Sequence, residues 1–294
     1  MLGMLRPCPP PPLPLMQLHH VRALVVGCGA YREASLALPN PQKDAQALAV
    51  LLREAGAEVQ LVLDPTRVQL SEAVMSFADP GHRPMPQHDA TRGIAVRLRQ
   101  RPAPTHADKV VGLLFFAGHG LEVDGENMLV PSDFELPGEE LPEAKVKVIT
   151  KSRCLVMSDT MAKIRDSGFY VSLVLLDCCR NWPFRDGKRS LGGKRGLGDA
   201  NVSALSHEDS IGAMVGYAAA AGAAAKDASS RMPGHSPYTA ALLQHLAQPG
   251  LQLDMTLGLV TDFVRDDTGG QQTPAEYRNA WGVAARELVL FPAS

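Results

Sequence analysis

Two apolar runs of this chain end in residues that carry chemistry. Residues 171–176 (VSLVLL) lead straight into Asp177, Cys178, Cys179, Arg180 and Asn181, and residues 110–116 (VVGLLFF) break into Ala117, Gly118, His119 and Gly120. Runs this short and this apolar read as strands buried on both faces of a parallel sheet. Packing gives no reason to close a core strand with an acid, two thiols and a guanidinium. The carboxyl ends of parallel strands are where open α/β sheets keep their chemistry. One strand therefore supplies a thiol and the other an imidazole set between glycines, the pairing that a cysteine nucleophile requires.

The elements around these two strands repeat a β-α-β-α order. Residues 21–26 (VRALVV) form a first strand ending at Gly27-Cys28-Gly29. The GCGAYR that follows mimics the start of a dinucleotide fingerprint, but its third glycine is missing and the next helix begins only near Pro41. The glycines are read instead as a tight turn beside a site. Asn40 and Pro41 signal a helix start, Leu48, Leu51, Leu52 and Ala55 give it an apolar stripe, and Gly56 ends it. Val59, Leu61 and Leu63 alternate as a second strand, and Asp64-Pro65 opens a helix carrying Val68, Leu70, Val74 and Phe77. That order implies right-handed crossovers and a mostly parallel sheet flanked by helices. Further on come a hairpin turning at residues 124–127, a helix within 151–168, a strand in 211–220, helices at 238–246 and 253–265, and a closing strand at 286–291.

Composition narrows the function classes. The chain has 294 residues, 45% hydrophobic and 20% charged, with a net charge of −2, so no field favours nucleic acid or an anionic membrane. Five cysteines without regular spacing argue against a disulfide framework and for a reducing, cytoplasmic setting. No apolar run is long enough to span a bilayer. Residues 1–20 are proline-rich and read as a disordered tail, and residues 21–292 as the folded domain. Residues 79–109 show no sustained period and read as a surface insertion; His82, His88 and His106 within it lack ligand spacing.

Laid out in order, LPNPQKDA, FFAGHG, the hairpin ending in LVPSD, LDCCRNWPF, SPYTAALLQHL and TGGQQTP resemble the caspase-like cysteine peptidases, most closely the bacterial-type and metacaspase branch. The resemblance runs from residue 21 to 291, interrupted by the insertion. It implies an α/β three-layer sandwich and a cysteine endopeptidase with a His119–Cys179 dyad. The branch carries Asp-x-Cys, which selects Cys179 over Cys178. An extended strand agrees, since alternation puts Asp177 and Cys179 on one face and Cys178 on the other. His119 would be the general base and acid, with the backbone N–H groups of Gly120 and Cys179 as the oxyanion hole. Asp44 and Asp177 match the branch's acidic pocket, which prefers arginine or lysine before the cut bond. The alternative reading makes Asp44 a helix-dipole partner and Asp177 a strand end that bonds backbone.

The same resemblance implies protein or peptide substrates with basic residues at the cut, a monomer, and no metal or organic cofactor in the chemistry. Calcium activation, known in the branch, stays open: Asp124, Glu126 and Asp133 near the hairpin match no calcium loop and read as solvated turn residues. Residues 185–201 form a glycine-rich basic loop after the nucleophile. Lys188, Arg189, Lys194 and Arg195 are candidate self-processing points, and a merely solvated basic loop is the competing reading. A non-catalytic scaffold of the same fold is the alternative to a peptidase.

Overall fold

A computed structural model describes residues 20–79, 109–138, 140–179, 210–220 and 225–293. The N-terminal tail to residue 19, nearly all of the 79–109 insertion with its three histidines, and the whole of loop 185–201 with its four processing candidates lie outside the described residues.

In chain order the elements begin with β1 (His20–Gly27), α1 (Pro41–Glu54), β2 (Glu58–Leu63) and α2 (Arg67–Ala78). The long β3 (Val110–Val123), β4 (Glu126–Leu129), α3 (Glu143–Arg153), β5 (Leu155–Val156) and α4 (Met157–Asp166) follow. Then come β6 (Val171–Cys179), β7 (Gly212–Tyr217), α5 (Pro237–His245), α6 (Leu253–Asp267), β8 (Ala275–Asn279) and α7 (Val283–Arg286). The main sheet runs β2-β1-β3-β6-β7-β8; all its pairs are parallel except β7–β8.

Apolar alternation in the central strands builds two cores. In β3, Leu114 and Phe116 join Leu70, Val74 and Phe77 of α2 and Met157, Met161 and Ile164 of α4. The intervening Val111, Leu113 and Phe115 join Leu48 and Leu52 of α1, Leu242 of α5 and Val260 of α6. Both faces of the sheet are thus covered by helices, giving the three-layer sandwich. No helix among the described residues is long and apolar enough to cross a membrane.

β3 is the element that positions the site. Its first part lies between β1 and β6, and its last four residues leave that sheet to pair with β4 in a hairpin. The hairpin closes on Asp124 and Gly125, both at positive φ (54° and 80°), as a two-residue turn matching strand twist requires.

The helix expected within 151–168 is α4, and a further helix, α3, lies before it across the short β5. α3 buries only Thr150 and leaves Val148 exposed, so it offers no apolar stripe to read. The closing strand is β8, not residues 286–291. Leu288, Leu290 and Phe291 are apolar because they pack under α5 and α6, and only Val289 makes an isolated bridge, to Gln252. β8 is an edge strand of half-buried and exposed residues, AEYRN, without an apolar run.

Candidate active site

The two candidate strands finish level with one another. Ala117 pairs with Asp177, Gly118 with Cys178 and His119 with Cys179. Neighbouring strands lie about 4.8 Å apart, so the His119 and Cys179 backbones are adjacent. Val174, Leu176 and Cys178 face the α2/α4 core, and Cys178 is buried there outside any disulfide. Cys179 closes β6; its side chain lies outside the described part of the structure. Burial pushes the Cys28 and Cys154 thiols up to about 12, which rules both out as thiolates at neutral pH.

His119 is held from two sides. Its Nε2 lies 2.9 Å from the Leu36 carbonyl, which closes a short 3₁₀ turn (Ala34–Leu36). A carbonyl only accepts, so Nε2 carries the proton and Nδ1 is the basic nitrogen. The His119 N–H donates to the Tyr31 hydroxyl at 2.8 Å, and the two rings sit 5.0 Å apart. Gly118 makes room for this: a Cβ there would sit 2.8 Å from that hydroxyl and 2.9 Å from the Cys28 carbonyl. Burial holds the imidazole below its ordinary pKa, with the Leu36 bond working against it, so the ring is neutral at neutral pH.

Tyr31→Phe keeps the ring and removes the acceptor of the His119 N–H. Turnover of a cleavable peptide is expected to fall about tenfold with KM unchanged, in line with the ~1–3 kcal/mol cost of an unpaired buried donor. Steady-state kinetics checks this; unchanged turnover would show that Tyr31 only packs.

The strand edges also place Gly120. The carbonyls of Ala117 and His119 accept from Cys28 N–H (2.8 Å) and Val130 N–H (3.0 Å), on the β1/β4 side. Alternation then directs the Gly120 N–H to the opposite edge, the side of β6. The GCGAYR loop, by contrast, has its donors engaged: Gly29 and Ala30 N–H both bond Asp64 Oδ1, at 2.9 and 2.8 Å. A phosphate would need those same groups.

Asp44 and Asp177 come together on the α1/α5 face. Asp44 is 1% exposed and Asp177 8%. Ser236, the N-cap of α5, bridges them: its N–H donates to Asp44 Oδ2 at 3.4 Å and its hydroxyl to Asp177 Oδ2. Thr239 donates a second hydroxyl to Asp177 Oδ2 at 2.6 Å, and His235 Nδ1 lies 2.7 Å from Asp44 Oδ1. Among the described residues no lysine or arginine bonds either carboxylate. Burial, then the charge of Asp177, pushes Asp44 up to about 8. Burial pushes Asp177 up to about 6 against the pull of the Ser236 and Thr239 hydroxyls. The half-buried Asp227 is raised as well, again by burial.

Tyr31, the Leu36 carbonyl, His235, Ser236 and Thr239 were not legible as site residues. Ser236-Pro237 does carry a helix-start signal that points to a cap. A backbone carbonyl carries no side-chain signal at all.

The hairpin acids are engaged elsewhere. Asp124 pairs with Lys147 at 2.7 Å and Lys151 at 3.7 Å, and the Lys147 hydrogen bond lowers its pKa. Glu126 accepts from the Ser158 hydroxyl, and Asp133 Oδ1 accepts the Arg67 N–H at 2.8 Å. Among the described residues no three His, Cys, Asp or Glu are grouped to hold a metal ion, and these acids do not fit a calcium site.

Comparison with known proteins bears on the fold and the family. Among solved structures, the Drosophila initiator caspase Dronc matches at a TM-score of 0.53 and 12% identity, over 90% of this chain and 82% of its own. Protein GSU0716 from Geobacter sulfurreducens matches at 0.56 and 13%, over 93% of this chain and 98% of its own. At such identities the likeness shows the fold. The comparison with curated proteins gave no match. The family model described as Caspase domain matches residues 20–281. The chain therefore belongs to the caspase-domain family, whose members are cysteine peptidases.

Proposed function

We propose that the protein is a cysteine endopeptidase that cuts after arginine or lysine, with His119 and Cys179 as its dyad. The observation that carries this reading is the coincidence at one sheet end of the His119–Cys179 register pair and two buried carboxylates with no internal lysine or arginine bonded to them among the described residues.

In this reading His119 Nδ1 takes the thiol proton as Cys179 Sγ attacks the scissile carbonyl. The N–H groups of Gly120 and Cys179 hold the oxyanion; the edge on which Gly120 presents its N–H supports that role. Collapse breaks the C–N bond, and His119 returns the proton to the leaving amine. Water then hydrolyses the thioester, with His119 again as base. The Leu36 carbonyl keeps the proton on Nε2 and so makes Nδ1 the basic nitrogen. Ser236 holds Asp44 and Asp177 together for a guanidinium or ammonium, which forms charge-assisted bonds to carboxylates. An aspartate side chain there would bring a further negative charge to a buried acidic pair.

Fluorogenic peptides differing only at the residue before the cut test this directly. Hydrolysis is expected after arginine and lysine and not after aspartate, with and without calcium. Preference for aspartate would overturn the acidic pocket, and no hydrolysis of any peptide would favour a scaffold.

Self-processing in residues 185–195 follows from the same specificity, since that stretch offers Lys188, Arg189, Lys194 and Arg195 soon after Cys179. Purified wild type is expected to show two fragments by mass spectrometry, with a new N-terminus after one of those four. Cys179→Ala is expected to stay whole. A wild type that stays whole while cleaving an arginine peptide shows that the loop has no processing role.

A further inference from the structure

Asp44 has a partner that cation binding alone does not call for. The His235 side chain keeps 20% of its surface exposed while Nδ1 rests 2.7 Å from Asp44 Oδ1. The backbone holds it there: Ser229 N–H donates to the His235 carbonyl at 2.7 Å, His235 N–H reaches the Met232 carbonyl at 3.3 Å, and Ser236 starts α5. The charged groups facing this pair are Lys43 from α1, Asp177 from β6 and Asp227 from the segment before α5. The groups bonded from α5, Ser236 and Thr239, are neutral.

We infer that His235 determines specificity as an internal cation which, once protonated, competes with the substrate's basic side chain for Asp44. The inference rests on the acidic-pocket reading above and extends it. With Asp44 ionised and the imidazole neutral, Nδ1–H donates to the carboxylate and the pair carries one negative charge. That state attracts a guanidinium. One added proton, on either partner, cancels the charge. With His235 present the proton has two places to sit; without it, one. The pair therefore keeps its proton to a higher pH than Asp44 alone would. Burial pushes both groups toward their uncharged forms, and the 2.7 Å contact opposes it by holding an imidazolium directly against the carboxylate. A bound guanidinium must displace that proton.

The probe is agmatine, a guanidinium with no peptide bond, titrated calorimetrically into full-length Cys179→Ala at pH 6 and pH 8.5. The same titration is done with His235→Asn added; its amide places a donor near the Nδ1 position but takes no proton. The two proteins are expected to bind agmatine within about twofold of each other at pH 8.5. At pH 6 the His235→Asn protein is expected to bind about three- to tenfold more tightly. The same affinity ratio at both pH values would overturn the inference. Imidazole NMR of Cys179→Ala with His235 intact gives a second reading: saturating agmatine should lower the His235 titration midpoint, and an unmoved midpoint would also overturn it. The expected agmatine pattern without any peptide cleavage by the wild type would sink the peptidase reading and leave this one standing. Cleavage after arginine with a pH-independent ratio does the reverse. No agmatine binding at either pH removes both the pocket and its histidine.

Discussion

Replacing Cys179 with alanine is expected to abolish peptide hydrolysis in a protein that still folds. Residue 179 is the last of β6, so alanine there leaves the paired part of the strand intact. Cys178→Ala is the control. Cys178 lies in the α2/α4 core, where losing its sulfur costs about 1 kcal/mol of stability and leaves most of the activity. His119→Ala should fold too and lower turnover by about 10²–10⁴, the usual contribution of a positioned acid–base group. Active-site titration, circular dichroism and steady-state kinetics on the three variants separate these outcomes. A folded Cys178→Ala as dead as Cys179→Ala would reverse the assignment of the nucleophile.

Asp44→Asn is expected to lose activity and gain stability together. Asparagine keeps an acceptor for the Ser236 N–H and turns its amide N–H toward His235 Nδ1, but offers a guanidinium no charge. kcat/KM for an arginine peptide should fall about 10²–10³-fold, and less than tenfold for one with a neutral residue before the cut. Asp177→Asn should move selectivity in the same direction. For stability, burial raises Asp44 to about 8, well above the ordinary carboxylate near ~3.9. As pH rises through that interval the unfolded chain gives up its proton first, so the wild type loses stability from about pH 4 to pH 8. The asparagine of the variant does not titrate and has no such dependence. The variant's advantage should be absent at pH 4 and on the order of 2 kcal/mol at pH 8. Denaturant titrations at the two pH values check this; a variant less stable than wild type at pH 8 would mean that the buried Asp44 carboxylate does not strain the fold.

How much of this was legible in the chain depends on what each residue had to do. β1, β3 and β6 stand out because strands covered on both faces leave continuous apolar runs, and the polar residues ending them mark the site. β8 and α3 do not stand out, because an edge strand and a mostly exposed helix place few side chains in the core. Residues 286–291 misled because apolar residues packing under helices look like a strand in one dimension. The meeting of Asp44 and Asp177 was legible only through family resemblance: 133 positions separate them, and Ser236, which joins them, comes later still. Alternation in β6 was legible from the residues alone, and it holds through the buried Cys178.

The continuity of β3 sets how the site responds to fluctuation. Its amides over 111–117 lie between two parallel neighbours in the middle of the sheet, where hydrogen exchange requires opening on the scale of the whole domain. Those of 121–123 are held by a short hairpin that frays far more cheaply. His119 stands at the boundary, its N–H tied to Tyr31 and its carbonyl tied to Val130 just past β4. Fraying of the hairpin therefore unties one backbone anchor of the imidazole and leaves the other, so the protein can soften its acid–base group without unfolding the sheet that carries it.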